Sequence, residues 1–167
     1  MGKFTVVHEI NCNVDTFWQT FFDKEFNEKL YREGLGFPEF SVLEQRETDT
    51  QIIRRAAGQP KMNMPGPVMK LLGNNFRYTE DGTFDKASKQ WKWKMTPSTL
   101  ADKMRQEGSL RVEPLGDNKV RRVAEMVIEA KIFGVGGLME SAAEKGLREG
   151  WDQSAVYMNK HLASKQG

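Results

Sequence analysis

One feature near the end of the chain limits its fold more than any other. Residues 138–163 contain no proline, and Leu138, Met139, Ala142, Ala143, Gly146, Leu147, Gly150, Trp151, Ser154, Ala155, Met158 and Leu162 fall on one broad helical stripe. A helix of about 26 residues is ~39 Å long, and in water it is stabilised mainly by covering its stripe. It must therefore lie across something equally wide. The rest of the chain offers only short helical patterns, so the partner has to be a sheet.

The strands of that sheet are legible. Phe4, Val6, His8 and Ile10 alternate onto one face of residues 3–10, the period of a half-buried strand. Asn11 and Asn13 break the alternation, Asn13 or Asp15 supplies an N-cap, and Phe17, Trp18, Phe21, Phe22, Phe26 and Leu30 follow at helical spacing. Two short helices are expected over 14–22 and 24–33, ended by Gly34 and Gly36. From 37 to 131, hairpins are predicted at 39–48 with 51–57, 74–85 with 89–96, and 104–113 with 119–131. Their turns are Thr48-Asp49-Thr50, Asp85-Lys86-Ala87-Ser88 and Gly116-Asp117-Asn118. Trp91, Trp93 and Met95 share one face and Lys92 and Lys94 the other, while Val120, Ala124, Met126, Ile128 and Ala130 line up likewise. One-sided strands of this kind build an antiparallel sheet with one wet face. The first strand is expected beside the last.

The expected architecture is α+β: a curved seven-stranded antiparallel sheet wrapped around a long C-terminal helix, with two short helices after the first strand, as a single domain over 1–167. A curved sheet makes more room than one helix fills, so this arrangement carries an internal cavity.

Composition narrows the function. With 25 Lys plus Arg against 23 Asp plus Glu, the net +2 exerts no strong pull on nucleic acid or an anionic membrane. Lys86, Lys89, Lys92 and Lys94 read as a solvated face, since the neighbouring indoles point the other way and no base-stacking surface results. One cysteine, Cys12, forms no intramolecular disulfide and suits a reducing compartment. The N-terminus has no apolar signal-like run, and no apolar run approaches ~18 residues, so a cytoplasmic protein is expected.

The order of elements, together with Val14-Asp15-Thr16-Phe17-Trp18 after the first strand and the C-terminal helix, resembles the helix-grip fold of the START-like superfamily over nearly the whole chain. That superfamily includes birch-pollen-allergen relatives, polyketide cyclases and lipid-transfer domains. The resemblance implies a hydrophobic ligand cavity between sheet and long helix, with lipids, sterols, quinones or aromatic polyketides as the ligand classes.

The motifs that advertise other chemistry fail in detail. Gly134-Val135-Gly136-Gly137 follows a strand and opens a helix, but Met139 stands where a dinucleotide fingerprint needs glycine, and no later strand carries the ribose-binding acid. His8, His161 and Cys12 lack metal-ligand spacing. No nucleophile elbow is present, and Cys12 has no identifiable base. No cofactor, metal or catalytic residue is assigned. His8 reads as a satisfied core histidine, and His161 as a partner of the helix dipole.

The ligand set expected from face and position is Phe76, Tyr78, Trp91, Trp93, Met95, Leu110, Arg122, Met126, Leu138, Met139, Ala142, Ala143 and Gly146. Small helix residues opposite large aromatics leave room, and methionine adapts to varied apolar guests. Arg122, and one of Arg54 or Arg55, point inward; such an arginine either pairs internally, for instance with Glu44, or anchors a ligand's acid group. Residues 60–72 combine three prolines with three methionines. They are open to three readings: a packed loop, a lid over the cavity built on Met62, Met64, Val68, Met69 and Leu72, or a loop making transient membrane contact. The leading function is noncatalytic binding or transport of a hydrophobic small molecule. The alternatives are a cyclase or dehydratase using the same cavity, and a protein-interaction module of the chaperone-cofactor type.

Overall fold

In the computed structural model, which describes residues 2–166, the elements run β1 (Gly2–Ile10), α1 (Val14–Phe21), α2 (Lys24–Lys29), a π-turn (Leu30–Gly34), β2 (Glu39–Glu47), β3 (Gln51–Gln59), α3 (Gly66–Leu72), β4 (Tyr78–Asp85), β5 (Gln90–Pro97), β6 (Met104–Pro114), β7 (Val120–Ala130) and α4 (Gly136–Gln166). The seven strands form one antiparallel sheet in the order β1-β7-β6-β5-β4-β3-β2. The first strand closes beside the last, in register from Gly2 opposite Ile128 to Ile10 opposite Val120.

Local chemistry places the boundaries. Asn13 caps α1 by accepting from the Thr16 amide (2.8 Å), and Asp23 caps α2 by accepting from Phe26 (2.8 Å). The second short helix is not regular to its end: the Leu35 amide reaches back to the Leu30 carbonyl, and Gly36 turns the chain out at φ +73°. Two expectations are corrected. Residues 66–72, part of the segment read as a packed loop, a lid or a membrane-touching loop, form the helix α3, with Pro67 in its first turn where a missing amide costs nothing. The fourth strand starts at Tyr78 instead of 74, because Phe76 is drawn into an apolar cluster of its own.

Two strand glycines shape the concave face. A Cβ on Gly82 would lie 2.0 Å from the Trp91 ring, and one on Gly108 would lie 2.6 Å from the Trp93 ring. The two indoles therefore lie flat over bare backbone in opposite directions, Trp91 across β4 and Trp93 across β6. Trp91 joins Phe21, Phe22, Trp18 and Phe84 in a nest of edge and tilted ring contacts at the α1 end. Trp93 instead meets Trp151 of α4 at 5.9 Å.

The long helix does not lie evenly over the sheet. Its backbone comes close to β1, β7 and the π-turn, and hardly at all to β3, β4 or β5. Trp151, Ser154, Ala155, Met158 and Leu162 are turned inward, whereas Leu138 (44% exposed) and Gly146 are exposed. These two were expected to line the cavity and are placed toward solvent, because the start of α4 rides on Met139 and Glu140 instead: Met139 is 1% exposed, and the Glu140 carboxylate accepts from the Ala130 amide at 2.9 Å.

Candidate ligand site

Register identifies the inward-facing side chains. Met95 of β5 stands opposite Glu80 of β4 and Gln106 of β6, and Gln106 stands opposite Ile128 of β7. On the other side Glu80 faces Ala56 of β3. Met95, Ile128 and Ala56 are buried core residues, so Glu80 and Gln106 point into the interior with them. One step toward α3, Tyr78 also points inward, its hydroxyl over Gly58. Tyr31 of the π-turn hangs above this floor, stacked on Phe40 at 3.9 Å.

Tyr31, Tyr78 and Glu80 are enclosed by protein, yet each keeps accessible surface. For Tyr78 and Glu80 that surface lies on the inward face of the sheet. Among the described residues none of the three side chains, nor that of Gln106, makes a hydrogen bond, and none of their polar atoms is sealed from a water-sized probe. Loss of solvent, with the charge of Glu80 adding to it, pushes both phenols above the ordinary tyrosine range. Loss of solvent also raises the Glu80 carboxyl, opposed by the charge of Arg54.

The inward arginines are already engaged. Register puts Arg54 inside and Arg55 outside, where Arg55 pairs with Asp81 at 2.8 Å. Arg54 donates to the Phe21 carbonyl at 2.7 Å and lies 4.5 Å over the Phe21 ring and 4.9 Å over Trp91. Arg122 donates to the Trp151 carbonyl (2.9 Å) and to His8 Nδ1 (3.1 Å), and lies 4.7 Å over the Trp151 ring. Desolvation pushes its guanidinium down to about 10. Because arginine only donates, His8 accepts at Nδ1 and so donates from Nε2 to Asp152 at 2.6 Å. Arg122 therefore pairs internally, with a backbone carbonyl and a histidine rather than with Glu44, which lies on the outer surface beside Arg46. The Asp152–His8–Arg122 chain straps α4 to β1 and β7.

Apart from Arg122, Leu138 and Gly146, the expected ligand and lid residues divide into four groups. Tyr78 and Trp93 keep accessible surface on the inward face with Glu80, next to buried Met95. Trp91, Leu110 and Met126 are sealed in the main core, at 2%, 1% and 2% exposure. Phe76 and Met139 belong to a second cluster with Val68, Leu72 and Ala130, against which Met62 and Met64 pack. Ala142 and Ala143 are half-buried on α4, and Met69 is half-buried on α3. Glu80, Gln106, Tyr31 and the Gly82/Gly108 cradle were missed. The signal was available for Glu80: period-2 alternation from Tyr78 through Gly82 to Phe84 puts it between inward residues.

Elsewhere little chemistry is assembled. A cleft of about 450 Å³ between α1 and the end of α4 contains Cys12 and His161, and another of about 430 Å³ lies between α1 and the β4–β5 turn. Neither holds a residue of the expected ligand set. Burial pushes the Cys12 thiol up to about 11, the opposite of a primed nucleophile. His161, against Phe26 at 4.7 Å, is pushed down by desolvation first and by Lys165 second. Among the described residues no group of three or more His, Cys, Asp or Glu could hold a metal ion, and no helix is long and apolar enough to cross a membrane.

A curved seven-stranded antiparallel sheet gripping a C-terminal helix, with helices after the first strand, is the helix-grip fold of START-like proteins. Solved structures agree over almost the whole chain. A START superfamily protein from Mycobacterium smegmatis matches with a TM-score of 0.58 at 14% identity, covering 97% of both chains. The Zhui aromatase/cyclase from a Streptomyces species matches at 0.67 and 11% identity, covering 99% of this chain and 96% of that one. Norcoclaurine synthase from Thalictrum flavum, solved with dopamine and hydroxybenzaldehyde, matches at 0.64 and 14% identity, covering 98% and 87%. Residues 5–162 match the model of the family described as "Protein of unknown function (DUF2505)", and the chain belongs to that family. No curated protein matches the sequence.

Proposed function

We propose that the protein binds and carries a hydrophobic small molecule, of the lipid, sterol, quinone or aromatic polyketide type, between the concave sheet and α4. One observation carries this reading. The helix is pressed onto β1 and β7, and the facing surface of β3, β4 and β5 retains accessible Tyr78, Trp93 and Glu80 inside the fold. Large solvent-reachable side chains in an enclosed place are what a ligand would cover. Residues 60–72 act as the lid, since α3 buries Val68 and Leu72 against Phe76 and Met139 while Met62 and Met64 stay half-buried at its edge. Fully exposed Phe133 and half-exposed Leu138 lie in the adjoining turn and first turn of α4, a suitable contact for transient loading at a membrane. The proposed setting is the cytoplasm, supported by the lone cysteine.

Titration of fluorescent fatty-acid and sterol analogues, followed by tryptophan quenching, tests the proposal. One-to-one saturation at micromolar concentration is the expected result, and its absence across several ligand classes would overturn it. Vesicle co-sedimentation tests the membrane contact separately. A second reading, catalysis of the cyclase or dehydratase type, is favoured by the enclosed Glu80 and Tyr78. Conversion of a bound ligand that stops in Glu80→Gln would establish it in place of simple carriage.

A further inference from the structure

We propose that the interior site selects apolar ligands carrying a neutral hydroxyl or phenol, and that Glu80 receives the hydrogen bond from that group. The inference rests on the interior-binding reading above and specifies the chemistry of its ligand. Among the described residues, Glu80 is the inward acid that lies beside Tyr78 on the concave surface, on the floor formed with Met95, Ala56 and Gln106. It has no hydrogen-bonded partner among the described residues, and its oxygens are not sealed from water. A carboxyl held in a poorly solvated place gains from a donor supplied by the ligand.

Charge decides which donor. Arg54 and Arg122 already place two cations in the interior, both close enough to be felt at Tyr31, and both are tied to backbone carbonyls and aromatic rings. An ammonium would meet Glu80 but would also stand against Arg54, whose charge already acts on that carboxyl, and against Arg122. A carboxylate would sit against Glu80 without being able to donate to it. A neutral hydroxyl donates to Glu80 and accepts from Tyr78, Tyr31 or Gln106, each of which has an unused donor. The rest of such a ligand would lie against Trp93 and Met95.

The test uses one ring system with four substituents: naphthalene, naphthol, naphthoate and naphthylmethylammonium, titrated into the full-length protein and followed by tryptophan quenching and calorimetry. Naphthol should bind at least ~10-fold more tightly than naphthalene, the scale of a hydrogen bond to a charged group, and more tightly than either charged probe. In Glu80→Met the advantage over naphthalene should disappear while naphthalene itself still binds. In Glu80→Gln, which keeps the shape and an acceptor, part of the advantage should remain. Equal binding of naphthol and naphthalene, preference for a charged probe, or an advantage that survives Glu80→Met would overturn the proposal and leave interior binding standing. Failure of all four probes to bind would overturn both.

Discussion

The two ends of the interior are closed in different ways. At the α1 end, Phe17, Trp18, Phe21 and Phe22 descend on Phe84 and Trp91, ring against ring, with Arg54 stacked beneath and bonded to the last turn of α1. At the other end, a proline-bounded segment lays Val68 and Leu72 on Phe76, Ala130 and Met139, with methionines at the margin. The first closure is made of rigid rings that bury large area and have few alternative packings. The second is made of flexible thioethers on a short helix whose neighbours are turns. On the proposed lid reading the first end stays closed and the second moves, although both are apolar.

The contrast can be broken or sharpened by substitution. Phe17→Ala, at 1% exposure in the aromatic end, should cost ~3–5 kcal/mol in urea unfolding, the usual toll of removing a buried ring. Val68→Ala, the fully buried residue of the proposed lid, should cost roughly 1–3 kcal/mol, from ~0.8 per lost carbon plus a small cavity. A larger cost for Val68→Ala than for Phe17→Ala would show that the lid end is the structural one.

Arg122→Met lies between the two ends. It should lower the unfolding free energy by about 1–3 kcal/mol by releasing the strap to Trp151 and His8, while binding of naphthoate stays unchanged. A selective loss of acidic ligands, with melting unaffected, would return Arg122 to the role of ligand anchor.

Met64→Ser combined with Met69→Ser should shift melting by only a few degrees, as ~1 kcal/mol does for a chain of this size. It should nonetheless speed ligand release. In the unsubstituted protein, amide exchange over 66–72 should slow when a ligand is bound, since a ligand moves a lid only by its preference for the closed form. Exchange that ignores a ligand proven to bind would remove the lid.

The smallest effect concerns Glu80. Its carboxyl is raised in the folded state, chiefly by desolvation, so the acid favours folding only below its unfolded value and opposes folding as pH rises past it. Glu80→Gln should therefore raise Tm at neutral pH, and the gain should vanish below roughly pH 4, where the unfolded carboxyl is also protonated. A gain that persists in acid would mean that shape, not charge, is responsible.

Much of this was written in the pattern of the chain. The stripe from Met139 to Leu162 requires a broad partner, alternation through Trp91, Trp93 and Met95 requires a one-sided strand, and capping by Asn13 follows from its side chain. That the first strand joins an edge of the same sheet also follows, whereas the choice of β7 over β2 is made by the tertiary structure. These are local periodicities, and local periodicity fixes which face of each element is apolar.

Which inward residues share a site is a different matter, since it depends on the register between strands and on where the helix comes to rest. Alternation alone cannot say that Trp91 turns toward Gly82 and Trp93 toward Gly108, that Arg54 and not Arg55 is inside, or that Arg122 meets a carbonyl of α4. It cannot say that Leu138 and Gly146 face solvent while Met139 is buried, because a stripe broad enough to cover a sheet leaves the helix free to rotate several tens of degrees about its axis. The strap from Asp152 through His8 to Arg122 and the seat of Met139 against Phe76 fix that rotation. Both join residues far apart in the chain, which is why tertiary structure alone decided that the accessible floor lies at Glu80.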